Sequence, residues 1–165
     1  NGSTYQSRAK AIMKNSSPFG FARAQESPGF LLWQTTMLWQ RLIKKALETH
    51  AISHAQFVIM ATLLWFELQK KSTTQVDIIN WSKLDKMTVS KSLKKLVALK
   101  LVNRIEHKTD TRAKNVSLTS TGKKLVHQLI PLVEEVDALF FGKTTKQDQR
   151  MLISIFQKLT AANNE

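Results

Sequence analysis

The stretch from Asp85 to Gly122 constrains this chain more than any other. It reads DKMTVSKSLKKLVALK, then LVNRIEHKTDTRAKNVSLTSTG. Asp85 is an N-cap residue, so a helix is expected over 86–100. Leu93, Leu96 and Val97 recur at i, i+3 and i+4, with Val89 one turn earlier, and define its core-facing stripe. Leu101 to Ile105 then reads as a short strand, and Val116 and Leu118 alternate with polar neighbours in a second. The polar run Glu106 to Lys114 joins them as a hairpin loop, and Thr119 caps a new helix. A basic helix followed by a basic hairpin can enter a major groove and reach the neighbouring minor groove, and with a further helix joined to its start by a short turn it makes a winged helix-turn-helix.

The rest of the chain supplies helices around this unit. Residues 1–29 form a basic arm with Arg8, Lys10, Lys14 and Arg23 and no acid before Glu26, punctuated by Pro18, Gly20 and Ser27-Pro28-Gly29. The arm is expected either to be partly disordered or to dock on the body through Phe19 and Phe21. A helix is expected from Phe30 to Glu48. Its apolar arc is wider than one core contact needs, so a second body, naturally another subunit, should meet it. Ser53 and Gln56 form a capping box for a helix over 54–69. Thr73 or Thr74 caps the next, over 74–82, and Lys83-Leu84 turns the chain into Asp85. A long helix over 121–140, mildly interrupted at Pro131, ends at Phe140-Phe141-Gly142. Thr144 and Gln147 are read as a capping box for a last helix over 145–161.

Composition narrows the function. Twenty-five Lys and Arg against twelve Asp and Glu give +13 over 165 residues. A field of that sign attracts a polyanion, and the charge is spread over the chain and not gathered on one amphipathic surface helix. Nucleic acid is therefore favoured over a membrane surface. There is no cysteine, so disulfides and thiolate metal sites are excluded. No apolar run approaches the roughly 20 residues of a membrane span, and residues 1–25 lack the apolar segment of a secretory signal. A cytoplasmic protein with no membrane partner is expected. His50, His54, His107 and His127 are scattered, no phosphate-binding glycine loop is present, and no serine has a base placed beside it. Neither a metal, a cofactor nor an enzymatic reaction is expected.

The order and spacing of several short signatures resemble the MarR family of bacterial transcriptional regulators over roughly residues 30–160. These are Ser53-x-x-Gln56-Phe57, Thr74-Gln75, Leu84-Asp85-Lys86-x-Thr88-Val89-Ser90 and Leu96. They continue with Leu101-Val102-x-Arg104, Asp110-Thr111-Arg112-Ala113-Lys114 and Leu118-Thr119-x-x-Gly122. The resemblance implies a mainly α fold with a small β wing. Residues 53–119 would be the winged helix-turn-helix lobe, and 30–52 and 120–162 the dimerisation helices of an obligate homodimer. It implies a palindromic double-stranded DNA operator and, most often, repression. Three positions depart from the family pattern: Lys83 and Lys100 replace turn glycines, and Ile79 stands where a small alanine is usual.

Candidate DNA contacts follow. Lys86, Met87, Thr88, Ser90, Lys91 and Lys94 are left available to the groove once the apolar stripe is assigned. In the wing, the resemblance implies that Arg112 enters the minor groove, that Asp110 holds its guanidinium, and that Lys108 and Lys114 contact phosphates. Trp33, Trp39, Trp65 and Trp81 read first as core or interface residues. The resemblance adds that a small aromatic or anionic effector could be lined by Trp33, Met37, Phe57, Met60 and Trp65. Two rivals to a sequence-specific regulator remain: a nonspecific architectural nucleic-acid protein, and a winged helix serving an acidic protein partner. The ratio of specific to random DNA affinity separates the first, and retention on a DNA column disposes of the second.

Overall fold

The structure, a computed structural model, describes residues 17–106 and 114–164, the side chains of Glu106 and Lys114 excepted. The helices are α1 (Pro28–Glu48), α2 (His54–Leu68), α3 (Gln75–Ser82), α4 (Lys86–Ala98), α5 (Ser120–Phe141) and α6 (Lys146–Ala162). Between α4 and α5 lie the strands β1 (Val102–Glu106) and β2 (Lys114–Leu118). This is the expected mainly helical fold with a small β wing. The chain divides into two compact units, Asn1–Arg41 and Leu42–Glu165.

In the first unit a single 3-10 turn, Ala24–Glu26, precedes α1, with Arg23 Nε paired to Glu26 at 3.2 Å. Ser27 starts the helix: its Oγ accepts the Phe30 N–H at 3.3 Å, and Pro28 sits at the first helical position, where no N–H is needed. Phe19 and Phe21 are exposed, as are Phe30, Leu31, Leu32, Trp33 and Leu38 of α1.

In the second unit the centre is α2. Ser53 and Gln56 form the capping box that opens it, and eight of its fifteen residues are buried: Gln56, Phe57, Ile59, Met60, Thr62, Leu63, Leu64 and Phe66. It packs against α3, α4, α5 and β2. Its apolar residues are not confined to one stripe because each side has a different neighbour. Phe66 anchors α3: the Trp81 ring meets it edge-on with centroids 5.1 Å apart, and Lys71 Nζ lies 4.5 Å over its face. Ile43 and Leu47, in the last turns of α1, are fully buried.

The wing is an antiparallel pair with Val102 opposite Leu118, Arg104 opposite Val116 and Glu106 opposite Lys114. A short third segment joins it. The Val116 N–H donates to the Thr73 carbonyl at 2.8 Å, and Thr74 bridges Asn115. The first helix of the helix-turn-helix is thereby tied to the wing at its own cap.

Among the described residues four non-glycine positions hold positive φ: Ala51, Lys70, Lys83 and Lys100. The helix ends dictate this. After α4 the Leu101 N–H bonds the Leu96 carbonyl at 3.0 Å and the Lys100 N–H bonds Val97 at 2.9 Å. That is a Schellman motif with its left-handed residue at Lys100. The same pair of bonds closes α2, from Lys71 to Phe66 and from Lys70 to Glu67, both at 2.9 Å. Lysine replaces glycine in these turns at a conformational cost, which its charge near the helix C-terminus partly offsets.

Several expectations are corrected. Val97 is 38% exposed, and Ser92 is buried in its place beside Val89, Leu93 and Leu96. The last capping box uses Thr145 and Asp148, one residue beyond Thr144 and Gln147. An aspartate reaches back to the cap N–H as readily as a glutamine, so the sequence allowed both frames. Pro131 lies inside an unbroken α5. Of the two places expected for the tryptophans, the core is not where they lie: Trp33, Trp65 and Trp81 are each more than half exposed and Trp39 is intermediate.

Gly122 is explained by close approach. A Cβ there would lie 2.0 Å from the Leu101 carbonyl oxygen, which already accepts the Thr119 N–H at 3.0 Å. Gly122→Ala is expected to destabilise the fold by about 2–3 kcal/mol in denaturant unfolding; an unchanged midpoint would contradict this packing. Lys83→Gly, at φ 60°, should instead raise stability by about 0.5–1 kcal/mol, and a loss would mean that the turn is not left-handed.

Candidate nucleic-acid interface

Helix α4 starts at a well-made cap. Asp85 Oδ1 accepts the Thr88 N–H at 2.8 Å, and Oδ2 accepts the Thr88 hydroxyl at 2.6 Å. The Thr88 hydroxyl bond, followed by the backbone bonds, holds the Asp85 carboxyl below the usual aspartate range. Thr88 is half-buried and its hydroxyl proton is committed to this cap.

The buried set Val89, Ser92, Leu93 and Leu96 fixes the rotation of α4. At 100° per residue the direction opposite that set is occupied by Met87, Lys91, Lys94 and Ala98, at i, i+4, i+7 and i+11. All four are exposed, as are Lys86 and Ser90 on one flank. The structure therefore brings Met87, Lys91 and Lys94 onto one outward ridge, leaves Lys86 and Ser90 beside it, and turns Thr88 to the cap. From Lys86 to Arg104 the chain carries Lys86, Lys91, Lys94, Lys95, Lys100 and Arg104 and no acid.

Arg104 belongs to the Leu101-Val102-x-Arg104 signature. It sits on β1 in phase with buried Val102, where an apolar residue is the usual choice. Its Nη2 donates to Gln75 Oε1 at 2.7 Å, at the first residue of α3. Among the described residues it pairs with no carboxylate. A neutral amide thus orients the guanidinium without cancelling its charge. The signal available in sequence was a cation two residues along the strand from the apolar Val102.

Thr74 and Asp77 cap α3 reciprocally. Thr74 N–H donates to Asp77 Oδ2 at 2.9 Å, and Asp77 N–H to Thr74 Oγ1 at 3.2 Å. Partial burial pushes the Asp77 carboxyl up, but the bonds from Thr74 and the nearby Lys71 together hold it below its ordinary range.

Lys108, Asp110 and Arg112 lie outside the described residues, as does the side chain of Lys114. Of the residues put forward for an effector, Phe57 and Met60 are core residues of the second unit and Trp65 is on its surface. Trp33, exposed, and Met37, half-buried, belong to the first unit.

The Asp85 cap carries a pH dependence. Its native carboxyl lies below the unfolded value of about 3.9. The cap therefore contributes fully above that value and is lost as pH falls through the lower native one. An NMR titration should give Asp85 a midpoint below about 3.9, followed by the Thr88 amide; a midpoint at or above it would contradict the cap.

Comparison with known proteins agrees with this architecture. Residues 48–136 match the ArnR1-like, winged-helix domain. The chain is 33% identical to the HTH-type transcriptional regulator YdcH of Bacillus subtilis over 128 residues, 78% of this chain and 87% of that one. It is 26% identical to the transcriptional regulator HosA of Escherichia coli O157:H7 over 129 residues, 78% and 88% of the two chains. Among solved structures, Bordetella bronchiseptica BpsR, whose DNA binding is regulated by 6-hydroxynicotinic acid, superposes with a TM-score of 0.75 at 23% identity. That superposition covers 87% of this chain and 98% of BpsR. The DNA complex of Staphylococcus aureus MepR gives 0.74 at 23% identity, covering 82% and 98%. A mutant E. coli MarR bound to operator DNA gives 0.70 at 22%, covering 79% and 91%. This chain belongs to the MarR family of transcriptional regulators, with a DNA-binding winged helix.

Proposed function

We propose that this protein is a homodimer that reads a palindromic double-stranded DNA operator and represses transcription from it. Residues 53–119 form the reading lobe, and 30–52 and 120–162 supply the dimerisation helices. The observation that carries this reading is the outward ridge of α4, a cationic face opposite a fully packed apolar one, beside the Gln75-oriented Arg104. Lys91 and Lys94 suit guanine O6 and N7 or phosphate, and Ser90 can bond a base edge. Lys86 and Arg104 face phosphates from either side. In the wing, Arg112 enters the minor groove, steadied by Asp110, with Lys108 and Lys114 on the backbone.

Dimerisation is supported by α6, which buries none of its residues while exposing Met151, Ile153, Ile155, Phe156 and Leu159. A helix with that much uncovered apolar surface needs a partner. The exposed apolar side chains of α1 supply a second such surface. A small aromatic or anionic effector that weakens DNA binding is proposed on the precedent of BpsR.

Selection of bound sequences from a random duplex pool at physiological salt tests the function. One enriched palindrome with half-sites about one helical turn apart is expected. Binding without enrichment would favour an architectural nucleic-acid protein, and no binding would sink both. Within the complex, Arg112→Ala should weaken operator binding by about 1–3 kcal/mol, and Arg104→Gln should reduce the salt slope by about one phosphate contact per protomer with unchanged sequence preference. An unaltered slope would remove Arg104 from the interface.

A further inference from the structure

The least expected residue on the outward ridge of α4 is Met87. It is 83% exposed, more than any other large apolar side chain described. Isolated apolar residues on a surface are ordinary, so exposure alone says little. Its place is informative. Met87 lies in the first turn of α4, on the same line as Lys91 and Lys94 and on the side opposite the buried set of Val89, Ser92, Leu93 and Leu96. Residues at this end of a recognition helix are the ones that meet base edges.

A protein partner is a poor occupant for this position. The cores of protein interfaces are depleted in lysine, whereas Met87 is preceded by Lys86 and followed on the ridge by Lys91 and Lys94. The cations select a polyanion, and the question becomes what apolar group a duplex offers. In the major groove thymine presents the largest one, its C5-methyl; cytosine offers only a C5–H there, and the remaining edge groups are hydrogen-bond donors and acceptors. A thioether on three rotatable bonds adapts to such a target.

From this placement we infer that Met87 is a specificity residue that reads the 5-methyl group of one thymine in each half-site. The inference rests on the DNA-reading function proposed above and adds the base and the atom that are recognised. The contact excludes water from both methyl groups, and its loss should cost about fourfold in affinity per half-site, or about fifteenfold when both are changed.

Deoxyuridine tests it, because it differs from thymidine only by that methyl. In the selected palindrome, thymines are replaced by deoxyuridine one symmetric pair at a time, and affinity is measured by fluorescence anisotropy. The wild-type protein should show the penalty at one pair. Met87→Gln, of similar length but polar, should bind thymine and uracil duplexes equally. Met87→Leu, which keeps an apolar end, should retain the preference. A palindrome at which no deoxyuridine weakens the wild type, or a penalty that persists in Met87→Gln, overturns this inference and leaves the regulator reading intact. Failure to enrich any sequence overturns both.

Discussion

Helix α2 is covered on several sides at once, and the orientation of everything around it follows from that. Met60 and Ile59 are fully buried, and Leu63, Leu64 and Phe66 nearly so. A helix that must bury most of its circumference cannot choose among neighbours; α3, α4, α5 and β2 are all required to cover it. Because α4 contributes Val89, Leu93 and Leu96 to that covering, its rotation about its own axis is fixed. The outward direction of Met87, Lys91 and Lys94 is thus a consequence of core packing. Rotating α4 by one residue would bury a lysine and expose a leucine, at a cost of several kcal/mol.

Local polar bonds then fix where each helix begins. Thr119 illustrates the economy of the arrangement. Its hydroxyl donates to the Lys100 carbonyl and accepts the Gly122 N–H, and its own N–H reaches the Leu101 carbonyl. One side chain caps α5, closes the turn after α4 and sets the strand that leads into the wing. Asp85 and Thr74 do comparable work for α4 and α3. The paired side chains of Lys123 and Glu67 join α5 to α2 at the surface, where an exposed ion pair adds little to stability.

Most of the helical framework was legible because its signals are local. Caps at Ser53, Thr74, Asp85 and Thr119 are read from residue type and spacing, and each is present. The amphipathic stripe of α4 gave Val89, Leu93 and Leu96, but the buried arc is centred one flank over, taking in Ser92 and leaving Val97 exposed. What stayed hidden depends on contacts distant in sequence. Nothing near Arg104 announces that Gln75, 29 residues away, will orient it. Thr88 reads as a groove residue, and nothing in its type announces that its hydroxyl proton is held by Asp85. The tryptophans read as core or interface residues by hydrophobicity and helical spacing, and periodicity alone does not separate the two; Trp33, Trp65 and Trp81 are more than half exposed.

The central claim is that the ridge of α4 lies in a major groove, once per half-site. The chain has no cysteine, so Ala98→Cys, exposed on that ridge and not one of its cations, gives a single point at which to attach an iron chelate. Cleavage of the bound operator from that point should fall in two clusters inside the protected sequence, about one helical turn apart and related by the palindrome. Cuts spread evenly along the duplex, or confined to its flanks, would contradict the account.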